Sequence, residues 1–193
     1  MNKNSRVKAV ISLDAVEQNF REMRKNIAED TKMIAVVKAD AYGHGAVPIA
    51  HLIEKYDYIW GFAAATAEEA VHLRQNGVTK PILILGIVFE EYYPELVRDD
   101  IRLAVCEYEE AEKLSREAVL QNKTVHIHIA LDTGMTRIGY ADIPESVNEI
   151  KKNFQNCRIL RLRECLLIFR GQMNMTEARQ WYSLNVIRDS QSW

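Results

Sequence analysis

A lysine closes the first strongly apolar run of the chain, in Met33-Ile-Ala-Val-Val-Lys38-Ala-Asp-Ala-Tyr-Gly-His-Gly45. Ile34 to Val37 read as a buried strand, and a helical pattern begins at Ala46. An amine at the exit of a buried strand is partly desolvated, which lowers its pKa and favours attack on carbonyl carbon. Gly43 and Gly45 let backbone approach a ligand closely, and the helix start that follows offers free N–H groups to an anion such as phosphate. The plainer reading is that Lys38 extends from a strand end into water. A second dense stretch, Leu131-Asp-Thr-Gly-Met-Thr-Arg-Ile-Gly139, also follows a strand and carries Arg137, which by itself reads as a surface ion-pairing group. His44, His126 and His128 read as structural, since one spacing-of-two pair on a strand does not make a metal site.

The elements that must hold these residues alternate strand and helix. Leu13, Val16, Phe20, Met23 and Ile27 mark an amphipathic helix capped near Ser12 or Asp14, after a short strand expected over Lys8 to Ser12. Val47, Ile49, Ala50 and Ile53 mark the next helix, and Tyr58 to Ala63 a strand. Thr66-Ala-Glu-Glu69 predicts a capping box opening a helix that Gly77 ends in a left-handed conformation. Strands follow at Ile82 to Leu85, Arg102 to Cys106 and Thr124 to Leu131. Helices are expected over Glu90 to Val97, with Pro94 in its first turn, over Glu107 to Gln121 and over Pro144 to Phe154. Strands of this kind predict a parallel sheet with covered faces. Lys38 and the Asp132 to Gly139 stretch both follow strand C-termini, where such sheets and barrels place their sites. There are roughly five to six βα units against the eight of a closed barrel, so an incomplete β/α (TIM-type) barrel is expected.

Composition narrows the class further. The 193 residues are 48% apolar and 27% charged with a net charge of -2, an ordinary globular balance with no basic excess for nucleic acid. No apolar run reaches the roughly 18 residues of a membrane span, and no apolar segment of a signal peptide follows the N-terminus. Three cysteines, Cys106, Cys157 and Cys165, at unrelated spacings fit a reducing compartment better than disulfides or a metal site. A cytoplasmic protein is expected.

The two dense stretches carry a family resemblance. Ala35-Val-Val-Lys-Ala-Asp-Ala-Tyr-Gly-His-Gly45 is similar to the pyridoxal-phosphate attachment motif of bacterial alanine racemases, and Leu131 to Gly139 resembles that family's second signature. Ile11-Ser-Leu-Asp-Ala-Val-Glu-Gln-Asn19 and Pro81-Ile-Leu-Ile-Leu-Gly86 fit as well, so the likeness covers about residues 7 to 157. The resemblance implies a β/α barrel followed by a β domain, a head-to-tail homodimer, and interconversion of L- and D-alanine to supply D-alanine for peptidoglycan. It implies that Lys38 holds pyridoxal 5'-phosphate as a Schiff base and serves as base on one face of the substrate. It also implies that Tyr42 bonds the cofactor phosphate and Arg137 the substrate carboxylate region. Ala130 departs from the pattern, standing where many members carry a carbamylated lysine that pairs with the arginine.

Beyond Cys157 the motif likeness ends. Arg158, Arg161 and Arg163 fall where an apolar strand ending in Thr-His-Phe is expected, and Trp181 to Trp193 shows no strand-plus-helix pattern. Residues 1–157 therefore read as the barrel part and 158–193 as a divergent tail. A one-base slip of reading frame near Ile159 or Leu160 would account for the break, the alternative being a natural short variant with its own C-terminus. Suitable codons for Arg163 to Ala178, read one base earlier, spell Glu-Gly-Met-Phe-Thr-His-Phe-Ser-Arg-Ala-Asp-Glu-His-Asp-Arg-Gly. On this reading the chain lacks the β domain, with its opposing tyrosine base and dimer surfaces, as well as the arginine facing the cofactor ring, so impaired or absent turnover is expected. The alternative is a single-domain pyridoxal-phosphate-binding protein without racemase activity.

Overall fold

The computed structural model of the chain describes residues 7–141, 143–154 and 160–169. Its elements in order are α1 (Leu13–Arg24), β1 (Met33–Val36), α2 (Ala46–Ile53), β2 (Ile59–Ala64), α3 (Ala67–Gln75), β3 (Ile82–Ile84), α4 (Tyr93–Arg98), β4 (Ile101–Val105), α5 (Tyr108–Leu120), β5 (Val125–Thr133), β6 (Tyr140–Ala141), α6 (Pro144–Phe154) and β7 (Leu160–Phe169). Strands β1, β2, β3, β4 and β5 lie side by side in chain order, all pairs parallel, and β7 runs parallel along β5. The two-residue β6 pairs with Leu131 and Asp132 at the end of β5. Order without reversal is the winding of a β/α barrel, whereas a doubly wound sheet reverses at a switch point. The fold is an incomplete barrel of this kind.

Alternation along the strands sorts the side chains. Phe62, Ile82, Ile84, Leu103 and Ile127 are buried against the helices, in one cluster with Ile49 and Ile53 of α2, Leu73 of α3 and Leu114 of α5. Ala63, Leu83 and Arg102 share a row of the register, as do Ala104 and His128, on the opposite, inner face. The helices form where the periodicity places them. α5 buries Ala111, Leu114 and Ala118 on one stripe, Pro94 sits in the first turn of α4, and Gly77 ends α3 at φ +87. The side chain of Ser12 caps α1 by accepting from Ala15 N–H. Glu17 then anchors α1 to the connection between α2 and β2. Its carboxylate accepts from Lys55 Nζ (2.7 Å) and from the Tyr56 hydroxyl, and these two donors hold its pKa down to about 2. No helix among the described residues is long and apolar enough to cross a membrane.

Two expectations change. The strand expected over Lys8 to Ser12 does not form, and Val7 and Val10 stay exposed; no described strand pairs with this segment. The backbone of Leu160–Phe169, where Arg161 and Arg163 argued against a strand, is nonetheless extended along β5 from Val125 to Thr133. Backbone pairing is indifferent to side-chain charge, so an available ladder can override a poor pattern. The expectation for Trp181 to Trp193 lies outside the described residues, as do Cys157 and Ile159.

Candidate active site at the strand exits

β1 delivers Lys38 into an unusual piece of backbone. Ala39, Asp40, Ala41 and Tyr42 all have φ between 51 and 55, a left-handed turn of four non-glycine residues. Each such residue costs roughly 1–2 kcal/mol, because Cβ crowds the following carbonyl, so the turn must be held from outside. The Ala41 N–H donates to Val37 O (2.8 Å), the Gly45 N–H to Asp40 O (2.9 Å), and the Val37 N–H reaches across to Ala63 O of β2 (2.9 Å). The Ala39 N–H donates to Glu69 Oε1 (2.7 Å), while Glu69 Oε2 accepts from the Ala65 N–H (2.8 Å). Lys38 is half-buried, and its ammonium lies 6.0 Å from the centroid of the exposed Tyr42 ring. Among the described residues, no carboxylate pairs with it. The turn thus brings two of the expected site residues, Lys38 and Tyr42, together.

The anion site expected at the start of α2 is already taken. Asp40 Oδ1 accepts from the Ala46 N–H at 2.7 Å, so an incoming phosphate would meet a carboxylate there. The capping box at Thr66 is also only half made. Thr66 Oγ1 accepts from the Glu69 N–H (3.4 Å), but Glu69 turns its carboxylate away from the Thr66 backbone to Ala39 and Ala65.

At the exit of β5, Asp132 Oδ1 accepts from the N–H groups of Gly134 and Thr136, both at 2.9 Å. These donors, Thr136 first, hold the carboxyl below its ordinary range and fold the loop that carries Arg137. Arg137 is exposed, with no side-chain hydrogen bond or ion pair to another described residue, Lys38 and Tyr42 included. Strands β2, β3 and β4 lie between the two exits. Gly139 closes the loop at φ +110, where a Cβ would stand 2.7 Å from Ala130 O. Ala130 is fully buried, so no side-chain amine from this position reaches toward Arg137.

The inner face carries a buried polar group, His128. His128 is 2% exposed, with its ring edge-on to Trp60 at 5.8 Å, and the Arg102 guanidinium lies 4.6 Å over the same Trp60 ring. Burial, then Arg102 and His126, pushes the His128 pKa down to about 4. His126 itself meets Asp100 at 3.4 Å. His126 and His128 are thus engaged by neighbouring side chains, and no group of three or more metal-ligating residues occurs among the described residues. Burial, with Glu110 and Glu107 nearby, raises the Cys106 thiol to about 11, which removes it as a nucleophile at neutral pH.

A family model for the alanine racemase N-terminal domain matches residues 11–188, running past residue 157, where the motif likeness stops. The chain belongs to the alanine racemase family. Alanine racemase 1 of Caldanaerobacter subterraneus subsp. tengcongensis is 42% identical over 142 residues, which are 72% of this chain and 36% of that relative. The alanine racemase of Clostridium kluyveri is also 42% identical over 142 residues, 74% of this chain and 36% of its own length. The chain thus spans 36% of the length of each of these two alanine racemases. The solved alanine racemase of Clostridium difficile 630 superposes with a TM-score of 0.81 at 32% identity, over 91% of this chain and 49% of that one. Membership in an isomerase family therefore rests on the fold as well as the motifs. The sequence pointed to Lys38 and Tyr42 through their motif but missed Glu69 and Asp40. Glu69 had a signal, the capping-box spacing, that named a different job.

Proposed function

We propose that this chain carries the lysine half of an alanine racemase site, with Lys38 as the residue that binds pyridoxal 5'-phosphate and alanine as the substrate. The carrying observation is Lys38 itself. It is a half-buried amine at the exit of β1, on a rigidly held turn, with no described carboxylate beside it. Such an amine would hold the aldehyde end of the cofactor, and no described ion pair competes for it. At the phosphate end, the exposed Tyr42 hydroxyl is a usable donor, whereas the start of α2 is not, because Asp40 occupies it. When bound, the cofactor supplies an electron sink for the pair left when the substrate Cα proton departs.

The remaining roles fall to the chain's own side chains. Lys38 Nζ holds or returns the Cα proton on one face. Arg137, free of described side-chain partners, is available for the substrate carboxylate region. Racemisation needs a second proton carrier on the opposite face, which the family likeness assigns to a partner's tyrosine, so the homodimer belongs to the same proposal. The D-alanine formed would serve peptidoglycan in the cytoplasm of a bacterium.

Titration with pyridoxal 5'-phosphate tests the reading. The expected outcome is a weak visible band characteristic of a lysine-bound cofactor, lost in Lys38→Ala, with borohydride trapping on the peptide that contains Lys38. Trapping on other lysines in place of Lys38 would overturn it. A chiral assay then separates racemase from a cofactor-binding protein without turnover. This polypeptide alone is expected to show no racemisation.

A further inference from the structure

Among the described residues, Glu69 is the one side chain that joins the backbone just beyond Lys38 to the neighbouring strand exit. Its two carboxylate oxygens divide between two backbone donors, Ala39 N–H immediately after Lys38 (2.7 Å) and Ala65 N–H immediately after β2 (2.8 Å). Lys38 is thereby held from both sides in sequence: the Val37 N–H is bound to Ala63 O (2.9 Å) and the Ala39 N–H to Glu69. The donation from Ala39 enters the turn at its first left-handed residue, φ 51, where an L side chain otherwise favours the right-handed well. A hydrogen bond to an ionised acceptor is stronger than a neutral one, and the half-buried position of Glu69 limits competition from water.

Glu110 provides a comparison within the same molecule. It also stands in the first turn of a helix, α5, and Glu110 Oε2 accepts from Cys106 N–H (2.8 Å) and Glu107 N–H (3.3 Å). Both donors belong to the segment that opens its own helix, so Glu110 closes a local cap. Glu69 instead joins a donor 4 positions away, Ala65, to one 30 positions away, Ala39. Similar chemistry does two jobs, and only one touches the lysine.

We infer that Glu69 is the positioning residue of the Lys38 site, clasping the exits of β1 and β2 so that the left-handed turn presents the Lys38 amine in one orientation. The inference rests on the proposed role of Lys38 for its functional consequence, and on geometry alone for the clasp. A second consequence follows for the cofactor. Because the clasp acts on backbone, the turn is formed before any ligand arrives, and binding need not supply the ordering.

Glu69→Gln tests this with little change of shape, since an amide keeps one acceptor and loses the other together with the charge. Glu110→Gln serves as the control for general loss of a carboxylate cap. Three readouts are taken on the full chain: amide hydrogen exchange of residues 39–43, borohydride trapping of pyridoxal 5'-phosphate at Lys38, and the thermal midpoint. In Glu69→Gln, exchange in the turn should rise about tenfold and trapping at Lys38 fall about tenfold, the equilibrium worth of one lost bond to a charged acceptor. Glu110→Gln should leave both readouts as in the parent. Unchanged exchange over residues 39–43 in Glu69→Gln overturns the inference, and so does an equal response to both substitutions. If the parent itself fails to trap cofactor at Lys38, the reading of Lys38 falls, and the exchange data alone decide the clasp.

Discussion

His128 shows how a single residue is decided by its surroundings. It lies on β5 in a short alternation of histidines, yet one imidazole reaches Asp100 while the other is sealed against Trp60 with its Nε2 lacking a hydrogen-bond partner among the described residues. Its folded pKa of about 4 lies below the value of about 6.5 for an unperturbed histidine. The neutral form is therefore preferred in the fold. Its contribution to stability is complete above the unfolded pKa and is lost as pH falls from about 6.5 toward 4, on the order of 3 kcal/mol in all. Urea midpoints at neutral and mildly acid pH should separate accordingly, and His128→Leu should flatten the part of that fall above the carboxylate range. An identical slope in the two proteins would place the titration elsewhere.

At the level of elements, the loop between β5 and β6 is built by two devices that work together. Asp132 gathers the N–H groups of Gly134 and Thr136, and Gly139 lets the chain return against β5 so that Tyr140 and Ala141 pair with Leu131 and Asp132. A Cβ at 139 would meet Ala130 O at 2.7 Å and Asp132 N at 3.1 Å, both backbone atoms that cannot swing aside. The residue's φ of +110 adds strain for any L side chain. Gly139→Ala is therefore expected to cost about 3 kcal/mol, read as a lower urea midpoint, and to detach β6. Arg137 would lose its platform with it. A change under half a unit of kcal/mol, roughly the scatter of neutral surface substitutions, would contradict the close approach.

For the molecule as a whole, the edge of the described sheet at β1 sets an expected behaviour. Among the described residues, β1 pairs only with β2. On its inner face Ile34 is 36% and Val36 42% exposed, although the alternate residues Ala35 and Val37 are buried. An unpaired parallel edge beside exposed β-branched residues is a template for another chain. The chain in isolation should associate with rising concentration, seen by light scattering. Ile34→Lys should suppress this without lowering the thermal midpoint appreciably, because the side chain already reaches solvent. Association unchanged by the substitution would move the contact to another surface.

Much of this was legible before any coordinates, for a local reason. Apolar runs, helical periodicity, Pro94 in a first turn and Gly77 at a helix end act within a few residues, and they set out the βα order up to α6. The lysine and aspartate stretches carried the family likeness in the same local way, and placed Lys38 at a strand exit. The tertiary structure decided what depends on distant partners. Nothing in Ala39-Asp-Ala-Tyr42 favours a left-handed backbone, and the turn exists because Glu69, Val37 and Asp40 bind its donors and those that flank it. Glu69 was read as a capping residue because its Ala39 partner lies 30 positions away. Leu160–Phe169 forms a strand because β5 offers an unpaired edge, and His128 is neutral because Trp60 and Arg102 arrive from other strands. Residue type and spacing determined which groups could do chemistry. Long-range hydrogen bonds and burial decided how they are held, since backbone strain is sustained only where remote groups satisfy it.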